Sequence, residues 1–110
     1  MRVAVAQIAT DPGFIQPNLD KIKRFVDWVN DQAADVVVFP ELTIPGYIPL
    51  DLVLNDAFVD ENIEALKSLI DYTNGKNIVV VCGFIDIAPR TRPDGFEEDT
   101  IRSPLFTMVI

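Results

Sequence analysis

Hydrophobic residues along this chain follow two different spacings, and the change of spacing predicts its elements. Predominantly apolar segments at 2–9, 35–39 and 77–86 are typical of parallel strands that are buried on both faces. Between them, apolar residues recur at three- and four-residue steps over 19–33 and 56–73, which predicts two amphipathic helices. Strands that alternate with helices predict an α/β fold with parallel core strands and with helices packed on the sheet.

Polar and turn-forming residues predict where these elements begin and end. Asn18 is the predicted N-cap of the first helix and Asp56 that of the second. The polar segment 88–104 contains Asp94-Gly95, which suits a tight reversal, and 105–110 then returns as a fourth strand. Since this strand is followed by no turn or cap, we expect residues 1–110 to form a single partial domain, an N-terminal fragment of a longer protein.

Composition narrows the class of protein. With 49% hydrophobic residues, 24% charged residues and a mean hydropathy of +0.24, the chain is typical of globular domains. Its net charge of −8 argues against nucleic acid or an anionic membrane surface as a partner. No apolar run approaches the roughly 20 residues of a membrane span, and the N-terminus lacks a signal-peptide core, so a cytoplasmic protein is expected.

One cysteine and no histidine limit the chemistry further. A disulfide framework, a Ser-His or Cys-His nucleophile pair and a transition-metal site cannot be built from these residues alone. Cys82 lies within an apolar strand, which favours an inert core thiol over a nucleophile. Acidic residues between 51 and 64 are predicted to form a solvated face, with no metal site.

The second strand ends in Pro40 and then at once in a carboxylate, Glu41. Pro40 has no N–H to donate, so it ends the strand pairing and restricts the direction in which the next side chain leaves. Ligands collect beyond the carboxyl ends of parallel strands, which makes Glu41 a candidate catalytic residue. A solvated loop carboxylate is the alternative, and the residues alone leave both interpretations open.

The motifs "VAVAQIATDPG", "NLDKI", "ADVVVFPEL" and "IVVVCGF" follow one another in an order that resembles the opening of the nitrilase, or carbon-nitrogen hydrolase, superfamily. The resemblance extends from Arg2 to Phe84. Within the superfamily, "PGYIPLDLVLNDAF" at 45–58 is similar to the segment after the first catalytic residue in glutamine-dependent NAD synthetases. The resemblance implies a partial nitrilase-like α-β-β-α sandwich.

The same resemblance implies an amidohydrolase that cleaves a carbon-nitrogen bond through a Glu-Lys-Cys triad, with glutamine as the favoured substrate and ammonia supplied to NAD synthesis. It assigns the general base to Glu41 and a place in the amide pocket to Tyr47, although an ordinary half-buried aromatic is the alternative for the latter. The Lys and Cys are expected beyond residue 110, since Lys67 and Lys76 fall at the wrong place in the motif order. The fragment alone is therefore expected to be inactive.

A carboxylate that accepts a thiol proton needs surroundings that exclude water. Phe39, Leu42 and Ile44 are the residues expected to wall Glu41 with apolar surface. The resemblance implies no cofactor and no metal for the hydrolase reaction, and ATP and Mg²⁺ only if a synthetase domain follows. It also implies a homo-oligomer.

Two alternative functions remain open. The domain could hydrolyse another small amide, of the ω-amidase or carbamoylase type. It could also be a non-catalytic oligomerisation module that kept the sheet and lost the chemistry.

Overall fold

The computed structural model shows one mixed sheet, two α-helices and a short 3₁₀ helix within the residues that it describes. The backbone is described for residues 1–91 and 97–109, and side chains are described for residues 1–86. The element order is β1 (Val3–Val5), α1 (Ile15–Asp31), β2 (Val36–Val38), a 3₁₀ helix (Leu50–Leu54), α2 (Asp56–Thr73), β3 (Val79–Thr91) and β4 (Glu97–Val109).

The four strands lie in the order β1-β2-β3-β4. The first three are parallel, with Ala4 opposite Val37 and Val37 opposite Val80. β4 is antiparallel to β3, with Thr91 opposite Glu97. The predicted parallel core strands joined by helices are therefore confirmed. The fourth strand lies beside β3 at the end of the strand order and runs in the opposite direction.

Both helices pack on the same face of the sheet. The core beneath them contains apolar side chains from every layer that are 0% exposed: Ile22, Val26, Val37, Val59, Leu69 and Val80. Because side chains alternate along a strand, Val3 and Val5 point to the other face, where they are 55% and 77% exposed. The prediction that β1 is covered on both faces is wrong for the described residues, since neither helix reaches that side.

The first helix begins earlier than predicted. α1 starts at Ile15 after Phe14, so Asn18 is not the N-cap but lies inside the first turn. Pro17 lies in the first turn of α1, which tolerates proline because the N–H groups there have no partner within the helix. Asn18 is instead fully buried, with its side chain directed at two loops.

The second helix ends as predicted at Thr73. Its N-cap is Asn55, whose side-chain oxygen accepts a hydrogen bond from the Phe58 N–H at 3.0 Å, so the prediction of Asp56 is wrong by one residue. Neither α1 nor α2 combines the length and apolar character that a bilayer-spanning helix needs, and no other described helix does.

The hairpin after the helices contains more strand than expected. The prediction of a turn-rich connection over 88–104 is wrong at both ends, because β3 runs to Thr91 and β4 starts at Glu97. Antiparallel pairing joins backbone groups, and it therefore continues through polar residues as readily as through apolar ones. The predicted Asp94-Gly95 reversal lies outside the described residues.

Candidate active site

A cavity of about 350 Å³ opens beyond the carboxyl ends of β1 and β2. The two predicted site residues, Glu41 and Tyr47, both line it. The segment after β1 and the proline after β2 supply the other lining residues: Ile8, Ala9, Thr10 and Pro40. The volume is at the lower end of the range for small-molecule sites, so it suits a ligand the size of an amino-acid amide.

The end of β2 determines where Glu41 leaves the sheet. Phe39 donates the last strand bond, from its N–H to a β3 carbonyl oxygen at 2.9 Å. Pro40 has no N–H to continue the ladder, and its carbonyl oxygen accepts a hydrogen bond from the Thr43 hydroxyl. Leu42 then adopts a φ of 51°, a conformation that costs a non-glycine residue about 1–3 kcal/mol. Burial of the Leu42 side chain offsets this cost and holds the turn that presents Glu41.

The environment of Glu41 differs from the expected one. Phe39, Leu42 and Ile44, which were expected to wall it, lie in the hydrophobic core and do not line the cavity. Glu41 itself is exposed. The expectation that these three side chains shield the carboxylate from water is therefore wrong, because they point beneath the loop and not towards the cavity.

The loop between β1 and α1 braces the segment that carries Tyr47. Gly13 donates its N–H to the Pro45 carbonyl oxygen at 3.0 Å, and the Tyr47 N–H lies 3.4 Å from the Thr10 hydroxyl oxygen. Sequence reasoning missed the wall formed by 8–10. A usable signal was present, because the end of β1 lies at the same sheet edge as the end of β2.

The other candidate residues lie away from the cavity. Cys82 is 1% exposed, and burial raises the pKa of its thiol to about 12, in agreement with the predicted inert core cysteine. Lys67 pairs with Glu64 at 3.2 Å, and Lys76 pairs with Asp27 at 3.4 Å. Within the described chain, no three acidic, histidine or cysteine side chains are grouped so that they could hold a metal ion.

Comparison with known families decides the broader assignment. Residues 2–101 match the carbon-nitrogen hydrolase family. The chain belongs to this family. An amidase of the nitrilase superfamily from Nesterenkonia has the same fold as this chain, with a TM-score of 0.70 at 22% sequence identity. That likeness covers 93% of this chain and 42% of the amidase, and it confirms the predicted fold class.

Curated relatives of this chain are much longer proteins. The chain is 37% identical over 86 residues to a glutamine-dependent NAD(+) synthetase of Thermotoga maritima, a match that covers 78% of this chain and 15% of the relative. It is 38% identical over 85 residues to the synthetase of Xanthomonas campestris, with coverage of 76% and 15%. The chain thus spans 15% of the length of these relatives.

A solved structure supports the same relationship. The glutamine-dependent NAD+ synthetase of Acinetobacter baumannii superimposes on this chain with a TM-score of 0.69 and 29% identity. The superposition covers 94% of this chain and 18% of the synthetase. The resemblance to the NAD synthetase branch, identified from the segment 45–58, is confirmed by these relatives.

Proposed function

We propose that Glu41 is the general base of a glutamine amidohydrolase that supplies ammonia for NAD synthesis. The observation that carries the proposal is the position of Glu41, which lies three residues beyond the end of β2 and lines a cavity of about 350 Å³. Membership of the carbon-nitrogen hydrolase family supports the reaction class. Similarity to glutamine-dependent NAD synthetases supports glutamine as the substrate.

In the proposed reaction, Glu41 accepts the proton of a cysteine thiol, and the thiolate attacks the amide carbon of glutamine. Protonated Glu41 then gives this proton to the leaving nitrogen, so that ammonia departs and a thioester remains. Glu41 next deprotonates a water molecule, whose oxygen attacks the thioester carbon, so that the C–S bond breaks and glutamate leaves. The cysteine thiolate then takes the proton back from Glu41, which restores the starting enzyme. A lysine ammonium stabilises the negative charge that develops on the amide oxygen.

The cysteine and the lysine are expected beyond residue 110. Because Glu41 is exposed in this chain, we propose that the segments carrying these two residues also cover the carboxylate and exclude water. The 110-residue chain alone is accordingly expected to be inactive. No cofactor takes part in the hydrolysis, and ATP and Mg²⁺ are required only if a synthetase domain follows. A homo-oligomeric state and a cytoplasmic location stay predictions.

Tyr47 is proposed to contact the substrate. Its ring lines the cavity and is 54% exposed, so it offers apolar surface to the aliphatic carbons of glutamine. This role is independent of proton transfer, which belongs to Glu41.

Ammonia release from glutamine by the full-length protein tests the role of Glu41. Glu41→Gln removes the base, so kcat is expected to fall about 10²- to 10⁴-fold. Glu61→Gln is the matched control, since it neutralises an exposed carboxylate on α2 that does not line the cavity. Equal activity of Glu41→Gln and the wild type would exclude the proposed base.

A panel of substrates separates this proposal from its alternatives. Faster hydrolysis of an ω-amide of a keto acid or of an N-carbamoyl amine than of glutamine would favour the other amidohydrolases. A folded full-length protein that hydrolyses none of the three would favour an oligomerisation module.

A further inference from the structure

A buried amide joins the two loops that form the cavity. Asn18 is 0% exposed, and its Oδ1 accepts a hydrogen bond from the Asp11 N–H at 2.9 Å. Its Nδ2 donates to the Asp11 carbonyl oxygen at 2.9 Å and to the Ile44 carbonyl oxygen at 3.2 Å. Asp11 follows Thr10, a lining residue, and Ile44 lies midway in the loop that carries the proposed site residues. One side chain therefore bridges both walls of the cavity.

The amide occupies a position that packing alone would assign to an apolar residue. Asn18 lies four and eight residues before Ile22 and Val26, on the stripe of α1 that faces the core. Burial of a polar side chain at such a site costs little free energy only when its hydrogen bonds are made. Asn18 meets this condition, because Oδ1 accepts a hydrogen bond and Nδ2 donates two. What the amide contributes beyond packing is the connection between the loops.

Glu41 and Tyr47 depend on this connection to different degrees. Glu41 lies two residues after Phe39, whose N–H makes the last β2 ladder bond, and three residues before Ile44, whose N–H donates to the Gly83 carbonyl oxygen of β3 at 3.2 Å, so the sheet holds the backbone on both sides of Glu41. Tyr47 lies three residues after Ile44, and its N–H approaches Thr10 on the other loop. Loss of the Asn18 hydrogen bonds should therefore displace Tyr47 more than it displaces Glu41.

We propose that Asn18 is a positioning residue that holds the Tyr47 wall of the cavity at a set distance from Glu41. Asn18 does not line the cavity, so it acts through Asp11 and Ile44. The inference rests on the proposed function, because it takes this cavity as the binding site for glutamine.

The second helix offers a matched control. Asn62 is also 0% exposed, and it exchanges two hydrogen bonds with the backbone of Ile85, from Nδ2 to the carbonyl oxygen at 2.5 Å and from the N–H to Oδ1 at 3.1 Å. It anchors α2 to β3 and does not line the cavity. Asn62 thus shares residue type, burial and stabilising role with Asn18, but not the proposed positioning role.

The test compares Asn18→Ala with Asn62→Ala in the full-length protein. Both variants are expected to lower the thermal unfolding midpoint, because each leaves buried backbone groups without partners. At a temperature where both are folded, Asn18→Ala should raise the KM for glutamine about tenfold and change kcat less than about threefold. Asn62→Ala should leave both constants unchanged. An unchanged KM in Asn18→Ala, or equal increases in both variants, would overturn the inference.

Hydrogen exchange provides a readout that does not depend on activity. Amides in 11–14 and 44–47 should exchange faster in Asn18→Ala than in Asn62→Ala, since only the first variant removes side-chain hydrogen bonds to these two loops and leaves the Gly13–Pro45 bond as a remaining link. If Asn18→Ala does not fold, Asn18→Ser replaces it in both measurements, with Asn62→Ser as its control, because the serine hydroxyl keeps a polar group but is too short to make the three hydrogen bonds of the amide. If the wild type does not hydrolyse glutamine, the proposed function fails, and exchange alone then decides. Unchanged exchange in both loops would refute the bridge.

Discussion

A β-carbon at position 46 would lie 2.4 Å from the carbonyl oxygen of Asp11, so Gly46 packs directly against the β1–α1 loop. Its φ of 87° is also in the left-handed region that favours glycine. Gly46→Ala is expected to lower the free energy of unfolding by more than about 2 kcal/mol, because conformational strain adds to a backbone overlap. Urea denaturation measures the loss.

Gly75→Ala is the matched control for this variant. Gly75 has a φ of 83°, but a β-carbon there would meet no atom within 4 Å. Only the conformational cost of about 1–2 kcal/mol is then expected. Equal losses in the two variants would show that the contact with Asp11 carries no energetic weight.

The Cys82 thiol is expected to stay unreactive in the native protein. Burial raises its pKa from 9.0 to about 12, so this group contributes stability that is complete below pH 9 and is lost as the pH rises towards 12. In the native state, a thiol reagent should modify the same number of thiols in the wild type and in Cys82→Ala. In the unfolded state, it should modify one more thiol in the wild type than in Cys82→Ala. A native difference of one thiol would contradict the inert assignment.

A hydrogen bond between the helices is expected to give a second alkaline transition. Tyr72 of α2 donates its hydroxyl hydrogen to Asp27 of α1, and this bond, followed by burial and the Asp27 charge, raises the pKa of Tyr72 above 10.0. The stabilisation is therefore present below pH 10 and is lost as the pH rises through the folded-state pKa. Tyr72→Phe should lower the free energy of unfolding at pH 7 by about 0.5 kcal/mol, the lower end for a partly exposed pair.

Denaturant unfolding at pH 7 and at about pH 11 checks this prediction. The difference between the wild type and Tyr72→Phe should shrink at the higher pH, whereas Tyr47→Phe, which alters an exposed tyrosine, should leave the free energy unchanged at pH 7. A difference that grows with pH would have the wrong sign for a raised pKa.

The N-cap of α2 is expected to be a measurable source of stability. Asn55→Ala removes the acceptor for the Phe58 N–H and should cost about 1 kcal/mol in chemical denaturation. Asn55→Asp retains an acceptor and places a negative charge at the helix N-terminus, so it should stay within about 0.5 kcal/mol of the wild type. Equal losses in both variants would argue against the cap.

Activity measurements can separate the ring of Tyr47 from its hydroxyl group. Tyr47→Ala removes the apolar surface that lines the cavity and should raise the KM for glutamine about tenfold. Tyr47→Phe keeps the ring and should stay within about threefold of the wild type. A larger loss in Tyr47→Phe than in Tyr47→Ala would contradict a role for the ring surface.

Local pattern was enough to predict most of the fold. The three valines of β2 and the apolar steps of α2 identify their elements because each interaction that forms a strand or helix lies within a few residues. The "FPE" sequence placed Glu41 at a strand end for the same reason, since Pro40 acts on its immediate neighbours.

Contacts between distant residues explain what the pattern did not predict. Asn18 looked like an N-cap, but its partners are 7 and 26 residues away, at Asp11 and Ile44. The lining residues after β1 and the exposed state of Glu41 depend in the same way on how two loops meet. The spacing of residues along the chain does not predict the contact between these two loops.

The order of residues thus specified a parallel α/β sheet, a carboxylate at the end of its second strand and an inert thiol in its third. The packed molecule was needed to bring Glu41 and Tyr47 to one cavity and to turn a presumed helix cap into a bridge between loops. The physical reason is range: backbone preferences and amphipathic spacing act over a single turn or strand, whereas burial and the pairing of buried polar groups depend on neighbours that folding brings from elsewhere in the chain.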